Sequence, residues 1–149
     1  MTSKRESIIL ADKALVESVL QIKTVKRHIQ QYEELNRYAL TQFPVVGVVG
    51  GLPVPQEHRQ GRTGQADIII SQLQVDFYVY FQEADDEKMD TTVSSLVNYL
   101  WVALYSDPTR GNLCHYTRLT AEPNYEVWNP FVAFKITAFH EYQHSIEGI

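Results

Sequence analysis

The chain has 149 residues, enough for one domain with a core of ordinary size, and 44% of them are hydrophobic. The net charge of −5 argues against a protein that binds nucleic acid on its own, because that function needs a basic surface. The single cysteine, Cys114, excludes an internal disulfide framework and a zinc–thiolate cluster. No apolar run approaches the roughly 20 residues of a membrane span. Residues 1–6 carry no apolar signal region of the usual kind, so we expect the protein to be intracellular at the time of its synthesis.

The first third of the chain contains one long helix pattern, two strand patterns and an ambiguous segment between the strands. Residues 6–22 place apolar side chains at helical spacing along one stripe. A short polar strand is predicted over residues 25–32, and residues 33–40 suit a short helix. The valine-rich run 43–51 begins with Phe-Pro and ends with two glycines, which is typical of a buried strand.

Residues 51–66 are the least regular part of the sequence, with three glycines and two prolines among polar and charged residues. A loop of this length inside a compact domain is usually functional or mobile. Two interpretations stay open: a solvated hairpin connection, and an arm that orders against a neighbouring subunit. We therefore predict a flexible loop or arm over 51–66.

The middle of the chain pairs a long strand pattern with a long helix pattern. From Gln72 to Gln82 apolar and polar residues alternate strictly, which predicts a strand with one buried face. Apolar residues then fall at helical spacing from Met89 to Leu104, after acidic residues that suit a helix start. The sequence Ser-Asp-Pro at 106–108 ends this helix.

Two further strand patterns complete the chain, at residues 113–122 and from Pro130 to about Gln143. The predicted order is therefore α-β-β-β-α-β-β in a single domain over residues 1–149. Hairpin-length connections favour an α+β fold: a mostly antiparallel sheet with two main helices packed on one face.

The sharpest chemical motif is His140-Glu141-Tyr142-Gln143-His144, which matches the H-E-x-x-H pattern of zinc metallopeptidases. That chemistry needs a helix, so that both histidines share one face and bind one ion. Here the motif extends a strand pattern, which separates His140 and His144 by roughly 13 Å. We interpret it as a solvated strand end and keep the zinc peptidase only as a remote alternative.

The neighbours Cys114 and His115 could suggest a thiol nucleophile with its base. Adjacent residues on a strand point to opposite faces, so they cannot pair there. A lone cysteine is more often a small buried hydrophobe, which is what we predict for Cys114. No constellation in the sequence supports catalysis, and we expect neither an enzyme nor a cofactor or metal site.

The end of the long helix carries a family resemblance. Its sequence, Ala103 to Asn112 or ALYSDPTRGN, is similar to the ALxxDPTLGG helix end of tail terminator (tail completion) proteins of tailed bacteriophages. The order of elements also agrees, including a strand that begins Phe-Pro, as at Phe43-Pro44. The chain departs from that pattern by Arg110 in place of an aliphatic residue, by Asn112 in place of the second glycine, and by an extra segment near 33–40.

The resemblance implies a structural protein of the virion rather than an enzyme. Such proteins form a hexameric ring on the finished tail tube, end its polymerisation, and join the connector of the head. Expected partners are further copies of the chain, the tail tube protein and the head–tail connector or neck proteins. Genomic DNA would pass through the lumen without specific binding, no membrane is involved, and assembly would take place in the host cytoplasm.

Exposed tyrosines and the 51–66 segment are the features we predict to meet neighbouring subunits or partners. The candidate interface residues are Pro53, Pro55, His58, Arg59, Arg62, Tyr78, Tyr80 and Arg110. Two alternatives stay within virion assembly: a head–tail connector or neck adaptor, and a subunit of the tail tube. A tube subunit polymerises without limit, whereas a terminator stops at one ring.

Overall fold

A computed structural model describes residues 3–27, 38, 40–122, 124–128 and 130–145. It confirms the predicted α+β fold, with two helices against one face of a seven-stranded, mostly antiparallel sheet. The elements in chain order are α1 (Lys4–Glu17), β1 (Thr24–Arg27), β2 (Val45–Gly50), β3 (Val54–Arg59), β4 (Ile68–Gln82), α2 (Asp86–Tyr105), β5 (Tyr116–Ala121), β6 (Glu126–Trp128) and β7 (Phe131–Ser145). A 3-10 turn spans Leu40–Gln42.

Two long antiparallel strands, β4 and β7, form the centre of the sheet and pair along their whole length. The strand order is β1-β2-β4-β7-β5, in which only the β1–β2 pair is parallel. β3 pairs with the first part of β4, on the same side as β2, and β6 pairs with the first part of β7, on the same side as β5. The sheet therefore has two opposite edges, one formed by β1 and β3 and the other by β5 and β6.

The strict alternation in β4 places its apolar residues under the helices. Leu73, Val75, Phe77 and Val79 are fully buried and belong to the main core. α2 contributes Met89, Leu96, Leu100 and Leu104 to the same core, as its apolar stripe predicts. Among the described residues, the opposite face of the sheet is covered only at one end, by a smaller cluster that includes Phe43, Tyr80 and Phe131.

Side-chain caps set the starts of both helices. Ser3 accepts a hydrogen bond from the Glu6 N–H of α1, and Asp85 accepts from the N–H groups of Glu87 and Lys88 of α2. α1 ends at Glu17, five residues before the predicted end, although Val19 and Ile22 are still buried. The apolar pattern therefore continued beyond the helix because the following turn also packs on the core.

Three sequence-based expectations change in the structure. The 51–66 segment contains the strand β3, and a further short strand, β6, precedes β7. The predicted strand over 25–32 begins at Thr24 and is observed as far as Arg27; residues 28–37, with most of the predicted short helix at 33–40, lie outside the described residues.

No helix in the described part of the chain is both long and apolar enough to cross a membrane.

Candidate interface and a buried polar cluster

Three charged or titratable side chains meet beneath the helices: Asp12 from α1, Arg110 from the turn after α2, and His140 from β7. The Arg110 Nε atom lies 2.6 Å from Asp12 Oδ1, and His140 Nε2 lies 2.7 Å from Asp12 Oδ2. All three side chains are completely inaccessible to solvent. Because buried charges are tolerated only when they are paired, this cluster requires all its members in place.

Backbone carbonyls and a hydroxyl extend the cluster, while Arg110 Nη2 is buried and makes no hydrogen bond to any described residue. Arg110 Nη1 donates to the Leu104 carbonyl at 2.7 Å and to that of Asp107, which attaches the end of α2. The Thr117 hydroxyl lies 2.7 Å from the Pro108 carbonyl and 2.9 Å from His140 Nδ1. A carbonyl can only accept, so Thr117 donates to Pro108 and accepts from the Nδ1–H group of His140. The cluster thus connects α1, the end of α2, β5 and β7.

The order carboxylate, imidazole, hydroxyl is that of a hydrolase triad, but its setting does not suit nucleophilic attack. Asp12 and His140 are sealed from solvent, Thr117 is buried, and the Thr117 proton is already donated to a carbonyl. A substrate has no access to these atoms. We therefore assign the cluster to holding the helices on the sheet.

The H-E-x-x-H motif lies on β7, and its two histidines are buried rather than solvated, which corrects the expectation of a solvated strand end. His144 Nδ1 donates to the Ser145 carbonyl, and Nε2 accepts from the Ser71 hydroxyl at 2.8 Å. Both ring nitrogens of His140 are also occupied. Glu141 is on the opposite face and contacts His115 at 3.1 Å. Among the described residues no three His, Cys, Asp or Glu side chains are grouped to hold a metal.

Cys114 is a buried residue of the main core, as predicted. Burial raises the pKa of its thiol, only partly offset by the hydrogen bond with Thr117. His115 turns away toward Glu141, so the two neighbours do not pair. Cys114 therefore has the character of a structural thiol.

The candidate interface residues of the 51–66 segment lie in and around the β3–β4 hairpin. All six residues of β3 are exposed, including Pro55, His58 and Arg59, and Arg62 is exposed in the connection; Pro53 is half-buried. Asp67 organises the turn, accepting from the Gly61 N–H at 2.8 Å and lying 2.9 Å from His58 Nε2. These two contacts, the Gly61 bond first, lower the pKa of the Asp67 carboxyl.

The remaining three candidate interface residues occupy different environments. Tyr78 is half-buried against the small cluster on the face of the sheet opposite the helices, with Lys135 Nζ 5.9 Å from the centre of its ring. Tyr80 is buried in the small cluster with Phe43 and Phe131, and Arg110 is buried with Asp12. The structure therefore corrects the choice of Tyr80 and Arg110, whose side chains are enclosed within the chain itself.

Polar side chains are concentrated on the uncovered face beside Tyr78. Lys135 forms an ion pair with Glu122 at 3.2 Å. Burial alone would lower the pKa of Lys135, but the Glu122 hydrogen bond and the nearby Asp76 carboxylate together hold it above its usual value. On the neighbouring strand, the Arg118 guanidinium lies 4.6 Å from the centre of the Phe139 ring. In the part of the chain that the structure describes, no helix packs on this face.

No protein-family model matches the chain, and no curated protein matches it. Functional inference therefore depends on the sequence resemblance and on the surfaces that the fold leaves open.

Proposed function

We propose that this chain is a tail terminator of a tailed bacteriophage, a structural subunit that closes the finished tail tube with a ring. By the resemblance the ring has six copies, ends tail polymerisation, and presents the surface that joins the head. Its partners are further copies of the chain, the tail tube protein, and the connector or neck proteins. It resides in the virion at the junction of tail and neck and is assembled in the host cytoplasm.

The observation that carries the proposal is the amount of ordered backbone and side-chain surface that one copy leaves open. The hairpin strand β3 is exposed at every residue; its first residue, Val54, is 57% exposed, and Leu52 just before it is 80% exposed. Large apolar side chains are also exposed on other elements, among them Val102 of α2 and Trp128 of β6. The buried centre of a protein interface is more apolar than the rest of the protein surface, and aromatic residues such as tryptophan are enriched there.

The two sheet edges suit a ring. In a ring each subunit uses two different patches, one for each neighbour, so the contact is heterologous. The edge formed by β1 and β3 and the edge formed by β5 and β6 lie on opposite sides of the molecule and differ in sequence. Within the described part of the chain, no other strand pairs with the outer side of either edge.

The charge of the chain is compatible with a channel for DNA. With a net charge of −5, the subunit has no general attraction for phosphate. A lumen lined by such subunits lets DNA pass without holding it. This argument supports the terminator and the neck adaptor equally.

The direct test is electron microscopy of virus particles produced when the gene for this chain is disrupted, with the intact gene supplied in trans as the control. A terminator predicts tails of excess and variable length, or finished tails that do not join full heads. Full heads joined to tails of normal length contradict the proposal. Heads that lose their DNA and lack a neck would favour the neck adaptor, and absence of any tube would favour the tube subunit.

A further inference from the structure

One row of residues crosses the uncovered face of the sheet from edge to edge. Lys26 of β1 is opposite Gly47, Gly47 is opposite Tyr78, and Tyr78 is opposite Lys135. The row ends at Glu122, whose N–H bonds to the Lys135 carbonyl at 3.1 Å. The row therefore begins with a cation on one edge and ends with a carboxylate on the other.

The two ends of this row differ in how their charges are satisfied. Lys26 is exposed and makes no ion pair with any described residue. Glu122 contacts Lys135 at 3.2 Å, but its side chain is 52% exposed and keeps room for a second cation. Placed side by side, the exposed ammonium group of Lys26 on one edge and the exposed carboxylate of Glu122 on the other are complementary in charge.

Strand directions allow that placement. β1 is parallel to β2, and three antiparallel steps then lead through β4 and β7 to β5. β5 therefore runs opposite to β1. When a second copy is set beside the first in the same orientation, its β1 meets the end of β5 in an antiparallel arrangement, as in strand addition at a sheet edge.

On each edge, one position has its outward backbone group bonded to a side chain of the same chain. These two positions lie on one cross-strand row. Gly50 is opposite Val75, which leads through Ala138 to Leu119. At this level the Gly50 carbonyl accepts from Arg5 at 3.2 Å, and the Leu119 N–H donates to the Tyr105 hydroxyl at 3.0 Å. In the row from Gly50 to Leu119, side chains of the same chain thus bond to the backbone of both edges. A neighbouring copy would instead meet the edges at the row that runs from Lys26 to Glu122.

We propose that copies of this chain associate head to tail through these edges, with Lys26 of one copy against Glu122 of the next. In this contact Glu122 lies between two cations, Lys135 of its own chain and Lys26 of the neighbouring copy. This inference deepens the proposed ring by naming its subunit contact, and it rests on that proposal for the closure of the ring.

Disulfide trapping tests the contact. The variant that combines Lys26→Cys with Glu122→Cys is oxidised mildly at high protein concentration and examined on a non-reducing gel. We expect a shift of most chains from the monomer band into a ladder of covalent oligomers, because a disulfide forms only when the two Cα atoms lie within about 7 Å. Cys114 does not compete, since it is buried and its raised pKa disfavours the thiolate.

Two controls make the test specific. Arg118 is exposed and four residues from Glu122 along the same edge, roughly 13 Å away, so Lys26→Cys with Arg118→Cys is expected to give no ladder. Each single-cysteine variant is expected to stay monomeric on the gel. Dimers of a single-cysteine variant would indicate a symmetric contact and overturn the proposal, as would an equal ladder from the Arg118 pair or no ladder from the Glu122 pair.

Charge reversal gives a second measurement without a covalent bond. Lys26→Glu and Glu122→Lys are each expected to reduce association in sedimentation experiments, and a chain with both changes is expected to recover part of it. Loss in both single variants without any recovery would contradict the pairing. The tail phenotype tests the proposed function separately. Overlong tails without disulfide trapping would support the tail terminator and overturn the Lys26–Glu122 contact. Trapping together with normal tails would support the contact and contradict the tail terminator.

Discussion

His140 and Lys135 belong to the same strand, β7, but they lie on opposite faces of the sheet and differ in how far they are buried. His140 is sealed under the helices between Asp12 and Thr117, while Lys135 lies on the open face beside Tyr78 and Glu122. The covered face encloses its polar groups and uses them to hold the helices in place. The open face leaves its polar groups available for contact. This difference implies that substitutions on the covered face reduce stability, whereas those on the open face affect assembly.

The largest expected effect is at Asp12. In the Asp12→Asn variant Arg110 keeps a buried charge without its counter-ion, so we expect the free energy of unfolding to fall by about 3–5 kcal/mol. Chemical denaturation of the purified chain measures this value. Asp90→Asn, on the exposed side of α2, is the matched control and is expected to change stability by no more than about 0.5 kcal/mol. Equal effects of the two variants would contradict the assigned role of the cluster.

A smaller loss is expected at Thr117. Thr117→Val keeps the shape of the side chain but removes the hydroxyl between Pro108 and His140. The buried Nδ1–H group of His140 then loses this acceptor, which costs about 1–3 kcal/mol in the free energy of unfolding. Thr120→Val, a half-buried position of the same strand, is the control and should be nearly neutral. A neutral Thr117 variant would show that the hydroxyl is not needed by its neighbours.

On the open face the corresponding loss is slight. Glu122→Gln removes the ion pair with Lys135, and exposed pairs of this kind contribute about 0.2–1 kcal/mol. The pKa of Lys135 is expected to fall, because the Glu122 contact no longer opposes the effect of burial. An NMR titration of the lysine side chain measures it, with Glu126→Gln as the control. An unchanged Lys135 pKa would show that Glu122 does not raise it and would contradict the prediction.

The smallest effect concerns the β3–β4 hairpin and its dependence on pH. The folded chain lowers the pKa of Asp67 below its ordinary value of about 3.9. The stabilisation by this carboxylate is therefore complete above that ordinary value and is lost as the pH falls through the lower folded value. The Gly61 amide should report this loss as a shift in its NMR signal in acid, and Asp67→Asn should abolish the shift. A Gly61 signal that titrates equally in both proteins would contradict the assignment.

The parts of the fold that one pattern determines locally could be predicted from the sequence. The alternation in β4 and the apolar stripe of α2 each reflect one element with one buried face. β3 gave no such signal, because all its residues are exposed and Pro55 interrupts the strand pattern. β6 could not be predicted for the same reason, because it has only three residues and all of them are exposed.

The buried cluster depends on contacts that no local pattern contains. Asp12 is 98 residues from Arg110 and 128 residues from His140 along the chain. Two weak signals were present: Asp12 interrupts the apolar stripe of α1, and His140 falls on the inward side of β7 after Ile136 and Ala138. Neither signal identifies the partner, so Arg110 was assigned to an interface rather than to the interior.

If the open face and the sheet edges serve contact between copies of this chain, the purified protein assembles without any other component. Native mass spectrometry of the unmodified protein over a series of concentrations measures this assembly. We expect one closed oligomer of fixed stoichiometry, with six copies expected from the resemblance, that forms as the concentration rises. Monomers at every concentration would contradict the claim, and a series of ever larger species would instead indicate a polymerising tube subunit.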